Sequence, residues 1–275
     1  MVDAARLQAR SLGEGLLGVG LLAGSANVIM QLSRPGVGHG VVESRVTSGQ
    51  LFRHPIKRTR TTLTYLAVAG LGTEAEKQFY RRAVNTAHAQ VRSTASSPVK
   101  YTAFDPELQL WVAACLYRGI EDCQRAFIGP FDATAQKALY ASAASLGTTL
   151  QVSRQMWPVD RAAFEEYWVG ALPKISIDDT VRQYLYDVAS IRFLPRWLSL
   201  PLGPFNRFVT TGFLPTKFRE EMRLPWSPRR QRHFERLIAI LGVVVRSLPM
   251  ELRRFPFNLA LWDLRRRIKS GRPLI

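Results

Sequence analysis

The sequence is short of cysteine, short of acid and without long uninterrupted apolar runs, and each shortage narrows what the chain can be. Cysteine occurs only at Cys115 and Cys123. These lie about two turns apart in one helical pattern, out of reach of a bridge along a straight helix. A disulfide-built fold and a Cys/His zinc site are thereby excluded, and a reduced, cytoplasmic setting is expected. A spanning helix needs roughly 20 predominantly apolar residues. The best candidate, Leu16 to Leu32, is interrupted by Asn27, preceded by Glu14 and rich in glycine. It reads as a buried helix with close backbone contacts at Gly18, Gly20 and Gly24, with a membrane anchor as the lesser alternative. No strand-like alternation of useful length appears, and no internal repeat. A P-loop, a G-x-S-x-G elbow, an H-E-x-x-H pair and a G-x-G-x-x-G turn are all missing.

What the chain has in excess is positive charge. The 275 residues carry 38 Lys+Arg against 21 Asp+Glu, a net charge of +17. From Arg192 to Ile275 the balance is 18 to 5, so the last third holds most of the excess. Such asymmetry concerns acidic partners rather than fold. Nucleic-acid motifs are absent. An anionic membrane surface, on the inner face, suits the interleaving of cations with aromatics at Arg196-Trp197, Phe205-Asn206-Arg207 and Arg254-Phe255. A solvated basic face is the plain alternative.

Helix signals run along the whole chain. Pro35 is expected to end the first helix, with Gly36, Gly38 and Gly40 forming a turn-rich connection and Val41 to Leu51 a short helical segment. Pro55 opens the next helix, and Thr73 with Glu76 forms a capping box for another. Asp105-Pro106-Glu107 is a strong helix start. Further helices are expected from Asp132 to Gly147, Arg161 to Gly170 and Ile177 to Ser190. Pro195 to Pro225 reads as short helices and loops, Ser227-Pro228 as the start of a long helix, and Pro256 as the start of the last. The fold class is all-α, with residues 1–191 as a helical core and 192–275 as basic helices packed on it.

Among four histidines, His39 and His54 fall in Gly/Pro-rich connections and His233 among arginines. His88 alone lies on an apolar stripe, with Tyr80, Val84, Ala87 and Val91 at helical spacing. It is either a satisfied core histidine or a ligand. A single histidine cannot hold zinc, but it can hold haem iron, because the macrocycle supplies four positions. Arg58 and Thr62 stand one turn apart on another helix, on one face. Glu43 is a candidate acid/base, or a surface carboxylate pairing Arg45 or Lys57. Glu165-Glu166 and Asp178-Asp179 read as surface or helix-start charges, Trp111 and Tyr101 as core packing.

The runs QLSRPGVGHGVVESR, HPIKRTRTTLTYLAVAGLGTEAE, VNTAHAQV and KYTAFDPELQLWVAACL, in this order from about Ala23 to Asp187, resemble the rubber-oxygenase catalytic domain family. That family is similar to the latex-clearing proteins and to the MpaB oxygenases of mycophenolic acid biosynthesis. The resemblance implies a globin-like helical bundle with additional helices, holding haem b. It implies that His88 is the iron ligand, that Arg58 and Thr62 contact the haem or its oxygen side, and that O2 is the co-substrate. Two positions depart from the family pattern. Glu43-Ser44 stands where His-Ser is frequent, and Thr61 where latex-clearing enzymes have a distal lysine. Haem binding is therefore implied more firmly than polymer cleavage. The expected function is a haem b-dependent oxygenase or oxidase acting on a hydrophobic small molecule, an isoprenoid or lipid alkene. The alternative is a non-catalytic haem- or lipid-binding protein at a membrane surface.

Overall fold

Helix-start chemistry and apolar periodicity decide the architecture. The computed structural model describes residues 7–46 and 49–274, and among these every regular element is helical, with one isolated bridge between Arg92 and Thr102. The all-α expectation holds. The chain opens with α1 (Leu12–Gly15), a 3₁₀ turn (Gly18–Ala23), α2 (Gly24–Leu32) and α3 (Pro35–Val42). It continues through α4 (Pro55–Leu71) into α5 (Glu74–His88), where Thr73 and Glu76 close the reciprocal capping box. The longest helix, α6 (Pro106–Phe127), starts on the Asp105 carboxylate, which accepts from the Glu107 and Leu108 amides. Next come α7 (Ala133–Ala143), α8 (Ser145–Thr148), α9 (Arg161–Ala171) and α10 (Asp179–Ala189). Asp132, Asp160 and Asp178 cap α7, α9 and α10. The last third forms α11 (Arg196–Phe213), α12 (Thr216–Glu221), α13 (Pro228–Ser247), α14 (Met250–Arg253) and α15 (Phe257–Lys269).

The centre of the molecule is α6, buried along most of its length. Trp111 is fully buried and stacks on Trp168 of α9 at 5.2 Å, its indole N–H donating to the Met30 carbonyl. Below it Tyr117, Tyr140, Trp157 and Phe164 form an aromatic cluster joining α6, α7 and α9. Glu121, also fully buried, receives Arg161 at 2.9 Å, Arg125 at 3.3 Å and Arg118 at 3.5 Å. Burial alone would raise its pKa, but the Arg161 hydrogen bonds and the three cations hold it below the usual value. The basic third is built into the same packing. Phe257, Leu261 and Leu264 of α15 cluster with Ala67 and Val68 of α4. Val209 of α11 and Phe234 of α13 cluster with Leu17 and Phe127.

Several local expectations are corrected. The buried helix expected over Leu16 to Leu32 divides: Leu16 and Leu17 are extended, a 3₁₀ turn follows, and the α-helix begins only at Gly24. The close contact expected at Gly18 is present, since a Cβ there would lie 1.7 Å from the Phe255 carbonyl oxygen, whereas at Gly24 nothing lies within 4 Å. Pro35 starts a helix rather than ending one, as the first helical residue tolerates its missing N–H. The glycine-rich stretch after it is helical too. Gly38 is required there by packing, since a Cβ would lie 2.7 Å from the Leu32 carbonyl oxygen and 3.1 Å from Val181. The segment expected as helix from Val41 to Leu51 is helical only to Val42, and Thr47 and Ser48 lie outside the described residues. The stretch expected as short helices and loops from Pro195 to Pro225 is one long helix to Phe213, and only beyond it, at Pro215 and after the short α12, does the chain break as expected. Pro201 and Pro204 sit inside the 18-residue α11 with their rings exposed, where a carbonyl that loses its intrahelical donor faces solvent.

Candidate functional site

The residues of α3, α4, α5 and α6, with the segment around Tyr101, enclose one apolar cavity of about 310 Å³. That is within the usual size of small-molecule and cofactor sites. Its polar groups are few, and no Asp or Glu lines it among the described residues. Gly36, Val37, Gly40 and Val41 make the α3 wall; Val112 and Leu116 belong to the α6 wall.

His88 enters from the last turn of α5. Its register is fixed by Tyr80 and Val84, both buried on the same helix face. Phe104 packs edge-on against the imidazole at 6.5 Å. Nδ1 is buried and has no hydrogen-bond partner. Burial, reinforced by the Arg58 guanidinium, lowers the His88 pKa from 6.5 to about 4. The ring is therefore neutral at ordinary pH and carries a free lone pair. A buried orphan nitrogen of this kind is not the satisfied core histidine that the periodicity also allowed.

Arg58 and Thr62 reach the same cavity from α4. One turn apart, they are joined by a 2.7 Å hydrogen bond from the guanidinium to the Thr62 hydroxyl, which itself donates to the Arg58 carbonyl at 3.2 Å. Thr61 also lines the cavity, its hydroxyl turned back to the Lys57 carbonyl. The sequence-derived trio His88, Arg58 and Thr62 thus converges on one space from two helices.

Glu43 is placed differently. Its carboxylate accepts from Ser97 at 2.5 Å and from the Tyr101 hydroxyl at 2.9 Å, and it meets His39 Nδ1 at 2.9 Å. Burial would raise its pKa, but these three bonds outweigh that and lower it. Neither Arg45 nor Lys57 pairs with it among the described residues. Tyr101, not Glu43, lines the cavity. The residue missed in the sequence is His39, which is 3% exposed within α3 and bridges Glu43 to Asp178 through its second nitrogen at 2.6 Å. Asp178 caps α10 at the same time. Glu165 likewise is no free surface charge, receiving Arg118 and Arg161, each at 2.6 Å. His54 and His233 are exposed, and both cysteines are buried thiols with raised pKa, unsuited to nucleophilic work.

The donor set limits which group the cavity suits. Among the described residues no three His, Cys, Asp or Glu side chains converge to hold a bare metal ion. His88 lines this apolar space with a neutral ring whose buried Nδ1 has no hydrogen-bond partner among the described residues. That fits a macrocycle that brings its own metal ligands and needs one axial donor. Arg58 is a fixed cation on the same wall, suited to a carboxylate such as a propionate.

The family described as "ER-bound oxygenase mpaB/B'/Rubber oxygenase, catalytic domain" matches residues 14–243. The match extends past the motifs read from the sequence and takes in α11 and most of α13. The chain is 53% identical over 255 residues to uncharacterized proteins of Mycobacterium bovis and Mycobacterium tuberculosis, with 93% of this chain and 100% of each relative aligned. No solved structure matches it. With the family match running over most of its length, the chain belongs to the MpaB/rubber-oxygenase catalytic-domain family.

Proposed function

We propose that the protein is a haem b-dependent oxygenase acting on a hydrophobic small molecule, an isoprenoid or a lipid alkene. The observation that carries the reading is the neutral imidazole of His88, its Nδ1 buried without a hydrogen-bond partner, in the lining of an apolar cavity that Arg58 and Thr62 also line. In this reading His88 would hold the haem iron and Arg58 would pair a haem propionate. Haem, when bound, supplies the activation of O2. The chain's own residues do the rest. The aliphatic walls from α3 and α6 exclude water and take up the apolar substrate. Thr62 would fix the Arg58 guanidinium at the cavity, its hydroxyl accepting from Arg58 with its own proton directed at the Arg58 carbonyl. Tyr101 lines the cavity and directs its hydroxyl proton at Glu43, so Glu43 would act on the site through Tyr101 rather than by touching substrate. Substrates of this class reside in bilayers, and peripheral contact of the basic C-terminal third with the inner face of a membrane is part of the proposal. Two unpaired cysteines support a cytoplasmic setting.

One observation favours the second reading, a non-catalytic haem or lipid carrier. The described cavity lining contains no carboxylate, and Glu43 has its oxygens occupied outside it. Reconstitution with haem b followed by O2-consumption assays on a panel of isoprenoids and unsaturated lipids separates the two. An oxygenase turns over at least one class, whereas a carrier shows the haem spectrum without turnover.

A further inference from the structure

Helices in the last third of the chain turn apolar stripes toward solvent. On α11, Trp197, Leu200, Pro201, Pro204 and Phe205 recur at the three- and four-residue spacing of one helix face, and all are exposed, Trp197 by 73% and Leu200 by 66%. The same helix buries a different face, where Gly203 abuts the Ser190 carbonyl and Val209 joins the core. Its outward stripe is therefore surplus to folding. On α13, Ile240, Val243 and Val244 are exposed, and beyond it so are Leu252 and Phe255.

These stripes belong to neighbouring elements. α11 packs on α13 through Phe213 and Phe234, whose rings are 5.0 Å apart. The 3₁₀ turn Gly18–Ala23 lies against both α11 and α14 and adds the exposed Leu21. Cations border the apolar residues. Exposed Arg192 and Arg196 flank the start of the α11 stripe. The α13 stripe continues toward its N-terminus, at helical spacing, into the exposed Arg236, Arg232 and Arg229. Patches of this kind mark an interaction site rather than an ordinary surface.

We propose that this face is a peripheral docking surface for an anionic lipid bilayer, with the α11 stripe entering the headgroup boundary. Charge selects the occupant. A second copy would bring the same arginines against their like, in a chain of net charge +17. Nucleic acid matches the cations but offers nothing to the aliphatic residues of α13. An anionic bilayer satisfies both, taking aromatic and aliphatic side chains at the acyl boundary and cations at the phosphates. No helix among the described residues is long and apolar enough to cross a membrane, so contact is at the surface. The inference rests on the membrane part of the functional reading and on neither haem nor turnover, so its failure leaves the cofactor reading standing.

The test is co-sedimentation of the full chain with phosphatidylcholine vesicles, with and without phosphatidylserine. Two variants are compared, W197A/L200A/F205A and R229Q/R232Q/R236Q, each first checked for wild-type helicity. Because only exposed residues change, both fold. The wild type is expected on the serine-lipid vesicles alone, and each variant loses at least about tenfold in affinity. About 0.5 M salt weakens the wild type further. Undiminished binding by the α11 variant overturns the proposal, as does equal binding to neutral vesicles. A wild-type dimer in solution that the same three alanines dissolve also overturns it, and assigns the face to a second copy instead.

Discussion

Arg58 reinforces the neutrality of His88, the two side chains lining one cavity from adjacent helices. Burial is the larger cause, and the guanidinium on α4 adds to it, bringing the imidazole at the end of α5 to a pKa of about 4. A cation placed to keep a neighbouring base uncharged is costly unless that base, or an anion beside it, has work to do.

The α4 pair gives the first prediction. Arg58→Ala removes the cation and frees the Thr62 hydroxyl. Haem affinity is expected to weaken about tenfold without vanishing, since the axial donor remains, and turnover to fall further than affinity. Thr62→Val keeps the shape, so haem content holds while turnover changes. Titration with haem and assays at matched occupancy check both. Wild-type turnover in both variants assigns the pair a structural role.

A second prediction concerns the tyrosine that links the cavity to the carboxylates. Tyr101→Phe removes one donor to Glu43 and leaves those from Ser97 and His39. Stability should fall by about 1.5–3 kcal/mol, the usual worth of a hydrogen bond to a charged group. Haem binding should be unchanged and oxygenase turnover reduced. Urea denaturation and the same O2 assay measure the two effects; unaltered turnover would place the Tyr101–Glu43 contact in the fold alone.

The buried ion cluster predicts a pH dependence. The Glu121 carboxyl is held below its ordinary value of 4.5, so its contribution is complete above that pH and is lost as pH falls through the lower folded value. Glu121→Gln removes the buried charge that Arg161, Arg125 and Arg118 share, leaving Arg161 and Arg118 only their bonds to Glu165. It should cost about 3–5 kcal/mol at neutral pH. The variant should also lose less stability than wild type on acidification below pH 4.5. Denaturation midpoints across pH 3 to 7 test the sign, on the order of one unit either side of the transition.

Packing of the N-terminal segment gives a paired test. Gly18→Ala would put a methyl 1.7 Å from the Phe255 carbonyl oxygen, and backbone on both sides must shift. A loss of about 2 kcal/mol or more is expected. At Gly24 a Cβ meets nothing within 4 Å, at the start of α2, so Gly24→Ala should be neutral or stabilising by up to about 1 kcal/mol. Thermal melts of the two variants decide it; equal Tm values would contradict the packing described for the 3₁₀ turn.

What the sequence made legible was local. The capping box at Thr73, the Asp105 start and the stripe carrying His88 each lie within a few residues, and helical periodicity translates directly into a shared face. Arg58 and Thr62 were readable for the same reason. The His39 bridge was not, because Glu43 and Asp178 are 135 positions apart and only the packing of α3 on α10 joins them. Glycines around His39 resembled a turn, whereas their purpose is close helix approach. Pro201 and Pro204 misled in the opposite direction, since a helix tolerates prolines whose unpaired carbonyls face water. The lack of a partner on His88 Nδ1 and its lowered pKa are three-dimensional facts with no trace in spacing.

The central claim, that His88 holds a haem in this cavity, is tested most directly by the absorption spectrum of reconstituted wild type and His88→Ala. The alanine variant should keep its helical circular dichroism and Tm, because the imidazole Nδ1 makes no hydrogen bond that the fold needs. Wild type should show a Soret band of a histidine-ligated haem at near-stoichiometric occupancy, and the variant should lose it, with imidazole added in solution restoring part of the band. A folded His88→Ala protein with an unchanged Soret band and unchanged haem content would contradict the account.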